Sequence, residues 1–135
     1  MNTKLDKILA EISAGELIDK ITILEIKKNK ISDEMKVKEI DKELNSLNNT
    51  MDKFIKEKSK ILTFKDQLKE INLKLWDIED GKRTAEKNKD FGKIFIELAR
   101  NVYKFNDERA KIKLKINEIL GSNIREVKQY VDYKI

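Results

Sequence analysis

Apolar residues recur along this chain in alternating steps of three and four, the period of α-helices that turn one face inward. Val37, Ile40, Leu44, Leu47, Met51 and Phe54 form a seam along one long helix. Before it, Leu17, Ile21, Leu24 and Ile31 mark another helix, and Ile18, Ile23 and Ile26 widen its apolar face, as expected of a well-buried element. Leu68, Ile71, Leu75 and Ile78 mark a third. A fourth carries Phe91, Phe95, Leu98, Val102, Phe105, Ile112, Ile116 and Ile119.

Capping residues fall between these runs. Ser13-Ala14-Gly15-Glu16 reads as a capping box, in which the Ser hydroxyl accepts from the N3 backbone N–H and the Glu reaches back to the cap. Ser32-Asp33 offers a second cap, Asn88-Lys89-Asp90 a polar turn with a capping residue, and Gly121 a natural C′ position. No proline interrupts any of these segments. The pattern predicts an all-α, antiparallel helical bundle of about four helices, at approximately 14–31, 33–58, 64–87 and 91–120, the last two forming a hairpin. A short C-terminal tail with Ile124, Val127, Tyr130 and Val131 is expected to pack back as a final helical turn or two.

Three points stay open on the pattern alone. Leu5, Ile8, Leu9 and Ile12 fit a helix, but Ile8, Ala10 and Ile12 also alternate, so residues 1–12 are either helical or extended. Asn45, Asn48 and Asn49 are poor helix formers grouped in the middle of the second helix, where a bend or a break is one outcome. Gly81 costs the third helix about 1 kcal/mol relative to Ala.

Composition narrows the chemistry. The 135 residues suit one helical domain, 1–135, and 41% charged with 39% hydrophobic residues is the mix of long amphipathic helices. With no Cys and no His, disulfides, thiolates, the usual zinc sites and every Ser-His or Cys-His nucleophile are excluded. Any catalysis would fall to carboxylates, Lys, Arg and Tyr. The absence of a bilayer-length apolar run and of a signal-peptide pattern at the start points to a cytoplasmic protein with no membrane partner. The net charge of +5 comes from thirty basic residues interleaved with twenty-five acidic ones, which argues against nucleic acid as a partner.

Arginine usage singles out one region. Of thirty basic residues only Arg83, Arg100, Arg109 and Arg125 are Arg, and three of them lie between residues 83 and 109. Arg presents a planar fork that binds carboxylate or phosphate bidentately and tolerates burial better than Lys. On the third helix Asn72, Trp76, Glu79, Arg83 and Glu86 recur at helical spacing beside the apolar seam. Tyr103, Asn106, Arg109, Lys113 and Asn117 do so on the fourth, and Glu16, Asp19, Lys20 and Thr22 on the first. Two readings compete for these stripes. One is ordinary intrahelical pairing, Glu16 with Lys20 and Glu79 with Arg83, at about 0.2–0.5 kcal/mol each. The other is a partly buried network between helices, with Glu16, Asp19, Lys20, Trp76, Glu79, Asp80, Arg83, Tyr103, Asn106, Arg109 and Lys113 as its candidate residues. Trp76 fits core packing better than a ligand platform. No residue stands out as catalytic or as a dedicated metal ligand. Carboxylates such as Glu16, Asp19, Glu79, Asp80 and Asp107 would suit Mg²⁺ only with help from substrate phosphates, and the Glu16–Asp19 spacing resembles a weak form of the metal motif of all-α nucleotide pyrophosphohydrolases.

The stretch from Ser13 to Lys27, with Gly15-Glu16-Leu17-Ile18-Asp19-Lys20 at its heart, resembles the opening motif of an uncharacterised family of short bacterial and phage proteins. Leu75-Trp76-Asp77-Ile78-Glu79-Asp80 with Arg83 and Glu86 matches a second piece, and Ala99 to Lys113, Ile116-Asn117 and Gly121-Ser122 a third. Gly81 departs from the pattern, which favours a better helix former before Arg83. The resemblance implies a helical fold and no defined activity, and its motif positions fall on the three polar stripes. The leading expectation is a non-enzymatic interaction or accessory protein with a polar inter-helix network, self-associating through leftover apolar surface of the second helix. The alternative is a site for a small anion or nucleotide phosphate, with Mg²⁺ as its conceivable cofactor.

Overall fold

Ser13 opens the first helix as its spacing predicts, its hydroxyl accepting from the Glu16 backbone N–H at 3.1 Å. The computed structural model describes residues 4–134 and carries four α-helices, α1 (Ala14–Lys30), α2 (Glu34–Phe54), α3 (Leu62–Lys87) and α4 (Lys93–Leu120). A single 3₁₀ turn, Lys58–Ile61, leads into α3. No strand occurs among the described residues, and no described helix is long and apolar enough to cross a membrane.

The wide apolar face of α1 explains the arrangement. A stripe covering more than one side can be buried only if neighbours stand on more than one side, and α1 packs against α2, α3 and α4 alike. Ile18 and Ile21 are wholly buried there, each contributing about 1.5–3 kcal/mol by burial. They join Leu17, Leu24, Ile40, Leu44, Ile61, Leu68 and Ile116 in one core. α2 lies alongside α1 and turns its seam, Ile40, Leu44, Leu47 and Met51, into that core. The leftover apolar surface expected on α2 is therefore small: Met35 and Phe54, at its two ends, are its exposed large apolar residues. α2 also runs unbroken through Asn45–Asn49, because Asn45 and Asn49 sit on its solvent face, where only a weak propensity is lost.

Several boundaries differ from those expected. α2 stops at Phe54 rather than near residue 58, because Ile55 leaves helical geometry and inserts its side chain into the core. α3 begins at Leu62, straight from the 3₁₀ turn. α4 begins at Lys93 with Gly92 as its uncapped N-cap, while Asp90 accepts from the Gly92 N–H and so caps the turn instead of the helix. At the other end of α4 the expectation holds: Gly121 adopts φ 63°, and Ser122 N–H donates to the Asn117 carbonyl at 2.8 Å, closing a Schellman motif. Residues 4–12 carry no helix. The C-terminal segment forms no helical turn either. Val127, Tyr130, Val131 and Tyr133 are β-branched or aromatic, and after the left-handed Gly121 the chain reverses and runs back along α4.

α3 and α4 form an antiparallel hairpin, in which Gly81 faces Leu98 and the Lys74 ammonium lies over the Phe105 ring. The two helices are about 40 Å long and α1 about 25 Å, from 1.5 Å per residue. α1 thus covers one end of the hairpin only. Beyond it, from Glu79 to Phe105, not one residue is fully buried. The hairpin projects as an arm.

Candidate functional site

Where α1 crosses the covered end of α4, the backbones come close enough to require glycine. A Cβ on Gly15 would lie 3.0 Å from the carbonyl carbon of Lys113 and closer still to its oxygen. The approach lets α4 and the turn that follows it satisfy free N–H groups of the first turn of α1, which have no partner within the helix. Gly15 N–H donates to Asn117 Oδ1 at 2.7 Å, and Ala14 N–H donates to Ser122 Oγ at 3.0 Å. Glu16 does not complete the capping box. Its carboxylate turns outward and accepts from Lys113 Nζ at 2.6 Å, because that ammonium offers a stronger, charge-assisted partner than the cap N–H.

One turn further along α1, Asp19 is wholly buried among Ile18, Ile21 and Thr22. A carboxylate there must be fully partnered to stay charged, and it is. Arg109 grips it with Nε, 3.0 and 3.1 Å from the two carboxylate oxygens, and with Nη2 on Oδ2. Asn72 Nδ2 donates to Oδ1 at 2.9 Å and to Thr22 Oγ1 at 3.0 Å. The Thr22 hydroxyl in turn donates to the Asp19 carbonyl at 2.7 Å. Lys113 adds its charge at 3.7 Å. Burial pushes the Asp19 carboxyl up, but the hydrogen bonds from Arg109 and Asn72, with the charges of Arg109 and Lys113, outweigh it and hold the group below its ordinary value. Arg109 is held above its own ordinary value, first by the bond to Asp19. The two shifts describe one stabilised ion pair. Asn106 Oδ1 accepts from Nη1 of the same Arg at 3.3 Å, fixing the guanidinium plane from the far side.

The structure thus brings Glu16, Asp19, Lys20, Asn106, Arg109 and Lys113 into one network across α1 and α4, with Lys20 at its edge, 3.7 Å from Glu16. Tyr103 lies further along α4, stacked edge-on against Tyr133 at 4.7 Å. The rest of the α3 stripe stays local. Arg83, 74% exposed, pairs with Glu79 one turn back, and Lys82 shares that carboxylate. Glu79 is lowered by Arg83 within the helix and by nothing beyond it. Asp80 is exposed and Trp76 half-buried, and neither makes a side-chain hydrogen bond. Arg83, Glu79 and Arg109 therefore share no cleft. Among the described residues no three acidic side chains gather where they could hold a metal ion, so Glu16, Asp19, Glu79 and Asp80 are not one Mg²⁺ cage.

The first and fourth helices supply the network, and α3 contributes to it through Asn72 rather than Arg83. The sequence did hold signals for this: Asn72 stands between Ile71 and Leu75 on the seam, and Thr22 between two isoleucines, where an unpartnered polar group would be costly. The returning segment, expected only as a helical turn or two, adds Glu126, 3.5 Å from Lys113, and Lys128, which pairs with Glu126 at 2.8 Å. Glu126 is lowered chiefly by Lys128.

A family model described as a family of unknown function, DUF6165, matches residues 8–133. The chain belongs to that family. No curated protein and no solved structure matches it. Membership in DUF6165 takes in nearly the whole chain, so the arm, the buried ion pair and the returning segment all lie within what defines the family model. Chemically, the carboxylate at the centre of the network is closed. The Asp19 carboxylate has no solvent-facing edge from which to take a proton, and each of its oxygens is engaged.

Proposed function

We propose that this DUF6165 protein is a non-enzymatic accessory protein that self-associates through the distal arm of α3 and α4, with the Asp19–Arg109 network fixing the register of the bundle that carries the arm. The observation behind this reading is the burial profile. From Glu79 to Phe105 the hairpin buries no side chain completely, while Ile94 is 72% and Ile96 54% exposed. Two helices alone leave part of each apolar stripe in water; two such hairpins side by side make a four-helix bundle, in which the stripes cover one another. A second copy fits the charge of the arm, since seven basic and six acidic residues lie between Asp77 and Phe105 and like arms would not repel. Of the candidate carboxylates, Glu16, Asp19 and Glu79 are taken up in ion pairs, which favours a structural role for them.

Size-exclusion chromatography with light scattering tests the reading. A mass near twice 15.9 kDa is expected, falling to the single mass when Ile94→Glu and Ile96→Glu are introduced together. Both side chains are exposed, so the fold of the single chain is expected to survive, as circular dichroism would verify. A single-chain mass at high concentration, or a dimer that tolerates both charges, overturns it.

A further inference from the structure

The C-terminal segment returns antiparallel to α4. Tyr133 donates its hydroxyl to Asp107 at 2.8 Å, whereas Glu126 and Lys128 lie at the level of Lys113. Between segment and helix runs a groove of about 720 Å³, within the range of small-molecule sites. Its two ends differ. Tyr103 and Tyr133 line one, and Arg109, Lys113 and Lys128 the other, with Tyr130 beside Lys128. Ten residues of helix, about 15 Å, separate Tyr103 from Lys113. We propose that this groove binds an aromatic anion of about nucleotide length, its planar ring against the tyrosines and its phosphate or carboxylate at Arg109, Lys113 and Lys128.

Three observations carry the assignment. The acids that pair with the cations stand outside this groove's wall: Asp19 is buried beneath Arg109, and Glu16 and Glu126 line an adjoining groove that shares Arg109, Lys113 and Lys128 with it. The groove wall itself holds three cations and one carboxylate, Asp107, which lies at the tyrosine end and is occupied by the Tyr133 hydroxyl. Arg109 is also held in place before any ligand arrives. Its Nε and Nη2 are fixed on Asp19 and its Nη1 on Asn106, leaving N–H groups to spare on a side chain 28% exposed. A pre-oriented guanidinium loses little freedom on gripping an oxyanion. At the other end the Tyr103–Tyr133 edge-to-face pair presents ring surface, on which a flat ligand stacks without regard to its substituents.

Adenosine 5′-monophosphate, adenosine, inorganic phosphate and benzoate, titrated separately into the full chain by calorimetry, test the proposal. Adenosine 5′-monophosphate is expected to bind saturably, and adenosine and phosphate at least tenfold more weakly, since each engages one end only. Benzoate at comparable strength would place a carboxylate, rather than a phosphate, at the cationic end. Lys128→Ala and Tyr130→Ala, both on the exposed returning segment and outside the core, should each lower the affinity about tenfold with the fold intact. Absence of saturable binding by both aromatic anions, binding of phosphate alone as tight as that of the nucleotide, or affinity indifferent to both substitutions overturns the proposal. None of these outcomes bears on self-association of the arm.

Discussion

Arg83 and Arg109 stand on adjacent helices of the same hairpin, each beside a carboxylate, and they do opposite things. Arg83 reaches Glu79 on its own helix in open solvent. Arg109 reaches Asp19 on another helix, ninety positions away in sequence, where the carboxylate has no exposed surface. In water the attraction between two charges 3 Å apart is nearly cancelled by their hydration; in the interior it is not, but both charges must first give that hydration up. The exposed pair is therefore optional, and the buried one holds together only while every partner is present. The same contrast separates the covered end of the hairpin from its arm.

The comparison breaks most sharply at Asp19. Asp19→Ala leaves Arg109 half-buried without its anion and Asn72 without one acceptor, and a loss of about 3–5 kcal/mol is expected in denaturant unfolding. Replacing both charges, Asp19→Leu with Arg109→Met, is expected to recover most of that loss, because neither desolvation cost remains. The pH dependence follows from the lowered carboxyl. A group whose folded value lies below its unfolded one contributes its full stability above the unfolded value, about 3.9, and loses it as pH falls through the folded value. Wild type should thus lose stability between about pH 4 and the lower folded value more steeply than the doubly replaced protein. Identical acid limbs would mean that Asp19 is not charged in the native state.

Glycine gives a second, smaller contrast. An added methyl at Gly15 meets the backbone of Lys113, which cannot move without separating α1 from α4, so Gly15→Ala is expected to cost at least about 1–3 kcal/mol. At Gly81 it would meet Leu98 Cδ1 at 3.1 Å, the end of a flexible side chain on the arm. There the helix gains about 1 kcal/mol from Ala, and Gly81→Ala should fall within about 1 kcal/mol of wild type. Thermal melts of the two variants measure both. Equal losses would show the arm packed as tightly as the covered end.

Much of this was legible before the fold was known, and the rest was hidden for physical reasons. Helix existence and order followed from apolar spacing, because a stripe of Ile, Leu and Phe at 3.6-residue period has no other stable use in water. The Ser13, Asp33 and Gly121 boundaries followed from capping chemistry, which is local. The end of α2 was missed because Ile55 is drawn out of the helix by the core, a tertiary effect. Polar stripes on α1, α3 and α4 were visible, but spacing cannot tell a residue that meets another helix from one that meets its own. Asp19 and Glu79 look alike in sequence; only the packing of α1 at the covered end of the hairpin divides them. The helical spacing of Ile124, Val127, Tyr130 and Val131 misled, since the segment's contacts depend on where Gly121 sends the chain.

The smallest effect tests the exposed side of the comparison. A double-mutant cycle on Glu79→Ala and Arg83→Ala should give a coupling of about 0.3–0.5 kcal/mol in low salt, the usual value for an i,i+4 pair with both partners solvated. At 1 M salt, where the screening length is about 3 Å, it should vanish. The same cycle on Asp19 and Arg109 should keep most of its coupling at that salt, since ions do not reach a carboxylate with no exposed surface. A Glu79–Arg83 coupling above about 1 kcal/mol, or one that resists salt, would place that pair in a drier setting than the single chain gives it. In the proposed dimer such a setting would arise if the second arm lay over Arg83, so the salt series, repeated above and below the concentration of association, also locates the arm's contact face.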